Sequence, residues 1–294
     1  MEAATTHSDG NAAATGLPYR IGLPAWAFPG WKDRYFPARP SALAGYARVF
    51  NSVEGNTTFY RVPDERTIDA WAEAVADKDF RFSFKLPKTV THERRPDVAD
   101  LRQFLRVIEP LETHLGPLLV QLPAWFGPDQ LPTLDALLDS LPGSLSRVLE
   151  VRHPAFFEQP QRLEPLLEKH RCGRVMMDAR PIHQGDHSHP DVRDALHEKP
   201  DVPVLPTVYN GLAFVRLVLH PGRRDNQRYF DEWAARLERW LEEGVDAWMM
   251  IHCPNNLHCP ELAIAFHETL RRRLAGGAPG CLPAWPVPEQ GSLL

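Results

Sequence analysis

The sequence predicts a single α/β domain, a TIM (β/α)8 barrel, from the order and number of its elements. Eight short β-rich runs recur along the 294-residue chain, and stretches with apolar residues at helical spacing separate them. Strict alternation of strands and helices predicts a parallel sheet, and eight repeats favour its closure into a barrel. A doubly wound open sheet is the alternative, although the first strand runs into PAWAFPGW and lacks a G-x-G-x-x-G turn.

Each predicted strand is a short, mostly apolar run bounded by turn residues. In chain order the eight runs are YRIGLPAW, NSVEGNTTF, FRFSFKLP, GPLLVQLPAWF, SRVLEVRHP, GRVMMDARP, AFVRLVLHP and AWMMIHCP. The predicted helices have apolar residues three and four positions apart. They are SALAGYARVF, ERTIDAWAEAVA, VADLRQFLRVIEPLETHL, LPTLDALLDSL, RLEPLLEKHR, YFDEWAARLERWLEEG and PELAIAFHETLRRRLA. The polar, proline-rich segment 180–211 has only a brief helical pattern, so it is expected to be a lid or a binding loop.

The composition indicates a globular chain whose domain lies between two tails. Hydrophobic residues make up 43% of the chain and charged residues 24%, which suits a large core. The sequence predicts a disordered tail over residues 1–18, the barrel domain over 19–275 and a Pro/Gly-rich tail over 276–294. The sequence has no signal-peptide pattern, no apolar run long enough to span a bilayer and no cysteine pattern typical of a disulfide framework. These observations predict a cytoplasmic protein. The net charge of −5 gives no general attraction to nucleic acid.

Nearly every predicted strand ends in polar side chains. In a barrel of parallel strands the carboxyl ends form the floor of the active site, where polar groups find water, partners or a ligand. The side chains expected at this floor are Trp26, Glu54, Asn56, Thr57, Lys85, Gln121, Glu150, Arg152, His153, Asp178, Arg180, His220 and His252.

Three carboxylates, from the second, fifth and sixth strands, are expected to converge at this floor. Glu54 and Glu150 are the acid/base candidates, and Asp178 and Lys85 complete the predicted catalytic set. A carboxylate beside a cation stays ionised and acts as a base, whereas one packed on an aromatic ring has a raised pKa and acts as an acid. The sequence leaves open which carboxylate has which role.

A divalent metal is the alternative use of these carboxylates, with His252 or His153 as a further ligand. Against it, the cations Lys85, Arg152 and Arg180 can neutralise the carboxylates without an ion. The run HCPNNLHC, residues 252–259, also pairs two cysteines with two histidines, but five residues separate the cysteines and prolines stiffen the turn. The sequence therefore predicts no metal site, leaves the cofactor open and assigns this run to the connection after the eighth strand.

A second group of residues is expected to bind the substrate. Its basic members, together with Lys85, suit an anion such as a phosphate or a carboxylate, its amides orient the substrate, and its aromatic rings stack on a sugar or a base. The alternatives are structural, since the charges can form an internal salt-bridge network and the rings can cap the core. The predicted set is Trp26, Asn56, Tyr60, Gln121, Arg152, His153 and Arg180.

Long blocks of the chain resemble one protein family. The blocks are IGLPAWAFPGW, YARVFNSVEGNTTFYRVP, FRFSFKLPKTVTHERR, LLVQLPAWFGP, LEVRHPAFF and VMMDARPIH, which are similar to those of the YecE-like family, known as domain of unknown function 72. The resemblance runs from about residue 19 to the C-terminus and implies a TIM barrel. It implies no particular activity, and it relates the chain only at the level of fold to metal-dependent endonuclease and sugar-isomerase barrels.

The last residues, EQGSLL, are similar to a short peptide by which bacterial DNA-processing enzymes dock on the replication sliding clamp. Gln290, Leu293 and Leu294 carry this resemblance, which makes a sliding clamp a candidate partner. A chance match, or a tail that packs on its own barrel, is the alternative. The resemblance favours a DNA-repair or DNA-end-processing function, which the acidic net charge opposes.

The sequence as a whole predicts an enzyme of hydrolase or isomerase type. Its substrate is expected to be small, polar and anionic or sugar-like, and to bind at the carboxyl ends of the strands. A DNA-processing protein and a non-catalytic ligand-binding barrel are the two alternatives.

Overall fold

The computed structural model describes residues 17–32, 34–36 and 39–274 of the chain. Eight strands lie within the eight predicted runs. They are β1 (Arg20–Gly22), β2 (Ser52–Gly55), β3 (Arg81–Phe84), β4 (Leu118–Gln121), β5 (Arg147–Glu150), β6 (Gly173–Asp178), β7 (Leu212–Val218) and β8 (Asp246–His252).

Helices alternate with these strands, and several short ones follow strand ends. The α-helices are α1 (Ala42–Tyr46), α2 (Thr57–Tyr60), α3 (Glu65–Val75), α4 (Lys88–Thr91), α5 (Val98–Ile108), α6 (Leu131–Asp139), α7 (Ala155–Glu158), α8 (Glu164–Lys169), α9 (Arg180–His183), α10 (Pro190–Ala195), α11 (Gln227–Glu242) and α12 (Cys259–Leu274). Short 3-10 helices occupy Glu109–His114, Pro128–Gln130, Pro160–Arg162, Arg223–Asn226 and Asn256–His258. Of the helices in the described ranges, none has both the length and the apolar character needed to cross a bilayer.

The strands form two sheets rather than one. Six strands pair in the order β1-β8-β7-β6-β5-β4, and β2 pairs only with β3; every one of these ladders is parallel. The predicted closed eight-stranded TIM barrel is therefore wrong, although the eight strands and their parallel direction are confirmed. The observed architecture is an open, curled six-stranded sheet accompanied by a two-stranded sheet.

Side chains interrupt the ladder between β1 and β2. The Asn51 carboxamide oxygen accepts from the Ile21 N–H at 2.8 Å, and its NH2 group donates to the Tyr19 carbonyl at 2.8 Å. The Tyr46 hydroxyl accepts from the Leu23 N–H at 2.9 Å and donates to the Ser52 carbonyl at 2.9 Å. These polar side chains satisfy backbone groups that strand pairing would otherwise satisfy. We call this junction the β1–β2 seam.

A proline has a similar effect between β3 and β4. Pro117 precedes β4 and has no N–H to donate, so a continuous ladder cannot form at that position. The Ser83 hydroxyl donates to the Pro117 carbonyl at 2.6 Å instead. Within the described ranges, the backbone pairing of this part of the chain is limited to two isolated bridges, between Phe82 and Leu115 and between Lys85 and Leu119.

The helices cover the outer face of the curled sheet with apolar side chains at helical spacing. In α11 the buried residues include Phe230, Trp233, Leu237 and Trp240, which recur three and four positions apart and therefore share one face. Trp233 and Trp240 are therefore packing residues. Segment 180–211 contains only the short helices α9 and α10, as its weak periodicity predicts.

We expect Tyr46→Phe to lower the free energy of unfolding by about 1–3 kcal/mol, because it leaves the buried Leu23 N–H and Ser52 carbonyl without their partner. Urea unfolding followed by circular dichroism measures this change. Tyr60→Phe removes the same atom from a side chain that is 81% exposed, and should change stability by less than about 0.5 kcal/mol. Equal effects of the two substitutions would show that the β1–β2 seam does not depend on the hydroxyl.

Candidate active site

Successive side chains of a strand point to opposite faces of the sheet, so every second residue faces the interior of the curled sheet. An inner apolar cluster contains Leu119, Val148, Phe214 and Met250, among others. Residues two positions further along a strand point the same way. The continuation of this inner face at the carboxyl ends of the strands is therefore polar: Gln121, Glu150, Arg216 and His252.

Arg216, in the middle of β7, is the centre of this polar layer. Its Nε donates to Glu54 Oε2 and its Nη2 donates to Glu54 Oε1, both at 2.8 Å. Its Nη1 donates to Glu150 Oε2. Arg216 is 7% exposed, Glu150 1% and Glu54 0%, so one guanidinium joins two carboxylates away from water.

The remaining carboxylate oxygens also have partners. The Asn56 NH2 group donates to Glu54 Oε1 at 2.9 Å, and His252 Nε2 lies 3.2 Å from Glu54 Oε2. Since a carboxylate only accepts, His252 Nε2 carries the proton. Arg152 Nε donates to Glu150 Oε1 at 2.9 Å. We call Glu54, Glu150, Arg152 and Arg216 the charge network; it contains two positive and two negative groups.

The electrostatics of the charge network keep both glutamates ionised. Burial alone raises the pKa of Glu54, but the charge of Arg216, with the hydrogen bonds that Glu54 accepts, outweighs burial and holds the pKa well below its usual range. For Glu150 burial is likewise outweighed by Arg216 and then by Arg152, and its pKa is lowered. Burial lowers the pKa of His252, so its imidazole is neutral at pH 7.

A cavity of about 360 Å³ opens above the charge network, at the carboxyl ends of the strands. Three of the basic side chains that line it are Lys85, Lys199 and Arg216. Six residues that the sequence predicted at this site also line it: Asn56, Tyr60, Lys85, Gln121, Arg152 and His252.

Lys85 differs from the arginines of this site because no carboxylate of a described residue forms an ion pair with it. Its Nζ lies 3.7 Å from the centroid of the Phe59 ring. Burial, followed by the charge of Arg216, lowers the pKa of Lys85 to about 8, although Glu150 and Glu54 partly oppose this. Burial and then Arg216 also lower the pKa of Lys199.

Asp178 does not join the other two carboxylates. It is the last residue of β6, and the residue before it, Met177, is the one that lines the cavity, so Asp178 points to the helix side. There its carboxylate accepts from Arg180 Nε at 2.9 Å and Nη2 at 2.7 Å, and from the Trp233 indole at 2.8 Å. The expected convergence of Glu54, Glu150 and Asp178 is therefore wrong, and Arg180 is placed with Asp178.

The other predicted residues also lie in different places. Trp26 packs edge-on against Trp71, with ring centroids 4.9 Å apart, and borders a separate apolar cavity of about 340 Å³. The His153 Nδ1 accepts from the Ala155 N–H at 3.2 Å, at the start of α7. Neither residue lines the polar cavity, whereas Tyr60 stands exposed at its mouth.

The carboxylates of the charge network are not arranged as metal ligands. The guanidinium of Arg216 lies between Glu54 and Glu150, where a shared ion would need to bind. Within the described ranges one close group of three metal-type ligands occurs, Asp135, Asp139 and His170, and none of these lines the polar cavity. Lys169 Nζ already forms ion pairs with both aspartates. Residues 252–259 form the connection from β8 into α12, as the sequence predicts.

Two basic residues of the cavity, Arg216 and Lys199, were missed in the sequence. Arg216 is the only charged residue in the apolar run LAFVRLVL, residues 212–219, and a charge within a buried strand is itself a signal of a paired or functional group. Lys199 comes from segment 180–211, for which the sequence predicts a lid or a binding loop, and it is not among the predicted site residues.

The fold and the cavity define an α/β protein with a polar, cation-rich site at the carboxyl ends of parallel strands. The family model described as "Protein of unknown function DUF72" matches residues 20–284. The UPF0759 protein YecE of Escherichia coli K12 is 37% identical over 278 residues, which cover 93% of this chain and 98% of that protein. The YecE protein of E. coli O157:H7 is 36% identical over the same length. The chain therefore belongs to the DUF72 family, and the resemblance seen in the sequence is confirmed.

Solved structures of the same family share the fold. A DUF72 family protein from Enterococcus faecalis V583 matches with a TM-score of 0.64 and 18% identity, over 86% of this chain and 95% of that one. A DUF72 family protein from Thermotoga maritima MSB8 also gives a TM-score of 0.64, with 21% identity, over 86% of this chain and 98% of that one. At these identities the comparison shows the fold alone. Gln290, Leu293 and Leu294, on which the sliding-clamp hypothesis depends, lie outside the described residues.

Proposed function

We propose that this chain is an enzyme that binds a small, polar anion in the cavity above the charge network and transfers protons through Lys85. The observation that carries the proposal is the charge balance of the site. Arg216 and Arg152 already neutralise Glu54 and Glu150, whereas Lys85 and Lys199 line the cavity without an ion pair to a described carboxylate. The cavity lining also includes one acidic residue, the exposed Glu198, so the positive charges remain in excess. Unpaired buried cations attract an anionic ligand.

The proton transfer is assigned to Lys85 rather than to the glutamates. A general acid or base works best when its pKa lies near the working pH, and the pKa of Lys85 is lowered to about 8. Glu54 and Glu150 have lowered pKa values and are held by hydrogen bonds to Arg216, so they are poor acids and weak bases. In this proposal they hold Arg216 in place. The reaction remains of hydrolase or isomerase type, both of which use a residue that exchanges protons.

The substrate contacts follow from the positions of the polar groups. Arg152 and Lys199 line the cavity with Lys85 and are suited to bind a phosphate or a carboxylate. Asn56 and Gln121 present amides to the same space. Tyr60, exposed at the mouth, is in position to stack on a ring.

Isothermal titration calorimetry with sulfate tests the binding step. We expect Lys85→Met and Lys199→Met each to weaken sulfate binding by about tenfold, the effect of losing about 1.4 kcal/mol of a charged contact. The matched control is Lys88→Met, which removes an exposed lysine three residues from Lys85 and should leave the affinity unchanged. If Lys85→Met and Lys88→Met bind sulfate equally well, the site does not depend on Lys85 and the proposal is wrong.

A turnover screen separates an enzyme from a non-catalytic binding protein. Lys85→Arg keeps a positive charge but cannot exchange a proton near neutral pH, because the pKa of arginine is above 12. Against a panel of phosphate esters and sugar phosphates, we expect Lys85→Arg to retain sulfate affinity and to lose turnover of any ester that the unmodified protein converts. Equal turnover by both proteins would remove Lys85 from the chemistry.

A further inference from the structure

The amine of Lys85 has the surroundings of a nucleophile. Its Nζ lies over the Phe59 ring, it faces the cavity, and no described carboxylate pairs with it. Arg152, Lys199 and Arg216 line the same cavity and disfavour a further positive charge. A desolvated lysine beside other cations releases its proton readily, and the neutral amine that results attacks carbonyl carbons. The lowered pKa of Lys85, about 8, agrees with this geometry.

We infer that Lys85 forms a Schiff base with a small 2-oxo carboxylate bound in the cavity. The inference rests on the proposed function, because the carboxylate of such a ligand is the anion that the cavity binds. It adds a substrate class, carbonyl compounds, and a covalent role for one residue. The cations suited to hold the carboxylate are Arg152 and Lys199.

The covalent step balances without any further reactant. Lys85, as the neutral amine, attacks the carbonyl carbon, the new C–N bond forms, and the carbonyl π electrons move to the oxygen. The oxygen takes up protons and leaves as water when the C–O bond breaks, and nitrogen supplies the electron pair of the new C=N bond. Starting from the protonated lysine, the net change is ammonium plus ketone to protonated imine plus water, with one positive charge on each side.

Two other lysines make suitable comparisons. Lys199 lines the same cavity, is half-buried and directly follows the exposed Glu198. Lys88 is exposed at the start of α4, three residues after Lys85. If the surroundings of Lys85 make it reactive, exposed Lys88 should form the adduct much more slowly. Lys199 also has a lowered pKa, so peptide mapping is needed to separate its labelling from that of Lys85.

Reductive trapping tests the inference. The full-length protein is incubated with pyruvate and sodium cyanoborohydride, and intact mass and tryptic peptides are measured. We expect one reduced pyruvyl group per chain, located on Lys85, and at least tenfold less labelling of Lys85→Arg. Lys88→Arg is expected to label like the unmodified protein, and circular dichroism verifies that each variant is folded.

The trapping experiment and the sulfate titration can fail independently, so their results distinguish the inference from the proposed function. Labelling that is spread evenly over exposed lysines, or that is unchanged in Lys85→Arg, overturns the inference. Sulfate binding that depends on Lys85, together with no pyruvyl adduct, overturns the Schiff base and leaves the proposed function standing. Sulfate binding that does not depend on Lys85 removes the proposed function, and the inference with it.

Discussion

Arg216→Met is expected to lower the free energy of unfolding by about 3–5 kcal/mol, the usual effect of removing one partner from a buried ion pair. Methionine fills much of the space of the arginine stem, so the loss comes mainly from charge rather than from a cavity. Glu54 loses both guanidinium hydrogen bonds and Glu150 loses one of its two arginine partners. Glu150 then keeps Arg152 as its partner, whereas Glu54 keeps only the neutral partners Asn56 and His252 among the described residues.

The pH dependence of this substitution has a definite sign. In the unmodified protein the pKa of Glu54 is lowered, so its ionised form contributes stability above about pH 4.3, its unfolded pKa, and this contribution is lost as the pH falls through the folded value. In Arg216→Met the largest opposing charge is gone and burial raises the pKa of Glu54. Protonation then favours the folded variant. The stability difference between the two proteins should therefore shrink as the pH falls from 7 towards 4.

Urea unfolding at several pH values measures both effects. The triple variant Glu54→Gln, Glu150→Gln and Arg216→Met is the control, because it keeps the approximate shapes and removes the buried charges. Replacing buried ion-pair partners together is often neutral, and Arg152, the one member that the triple variant keeps, is partly exposed. The triple variant should therefore recover much of the stability lost in Arg216→Met. If the free energy of unfolding of Arg216→Met lies within about 0.5 kcal/mol of that of the unmodified protein, the buried ion pairs described above are contradicted.

Sulfate affinity is expected to be constant below about pH 8 and to fall by about tenfold or more above it, because Lys85 loses its proton there. An ordinary lysine, with a pKa near 10.4, would keep its charge until well above pH 9. Sulfate stays fully ionised over this range, so a fall in affinity reports a titrating group of the protein rather than of the ligand. Lys199 also has a lowered pKa, and the titration is therefore done in Lys199→Arg, where that position stays charged.

Adding Lys85→Arg to this background provides the comparison. Arginine stays protonated throughout, so the fall in affinity near pH 8 should disappear while the affinity at pH 7 is kept. A fall that persists in the double variant would assign the titration to another group. The reductive trapping with pyruvate should show the opposite trend, rising as the pH approaches 8, because the imine needs the neutral amine.

The sequence predicts the elements of this fold well, but it does not predict how all the strands join. Short apolar runs between turn residues identify the eight strands. Pro117 directly precedes β4 and has no N–H, so an interrupted ladder could be predicted at this position from the sequence. The β1–β2 seam could not be predicted, because Asn51 and Tyr46 replace strand pairing through contacts that exist only in three dimensions.

The sequence predicts only part of the site, because the direction in which a side chain points depends on the folded sheet. Glu54, Lys85 and Glu150 follow the rule that polar residues at strand ends face the centre. Asp178 does not, because it shares a strand face with Arg174, which donates to the Phe156 carbonyl on the helix side. The strand is buried on both faces, so its sequence alone does not show which of the two faces points inward. Arg216 lies inside its strand rather than at its end, so the rule of polar strand ends does not apply to it.

Glu54 belongs to the β1–β2 seam as well as to the charge network. Its backbone N–H donates to the Leu23 carbonyl at 3.0 Å, while its carboxylate holds Arg216. A local opening of the seam would therefore move one of the two anions that fix the guanidinium, and the position of the positive charge beneath the ligand would change with it. Glu54 therefore couples the contact between two neighbouring strands to the electric field inside the cavity.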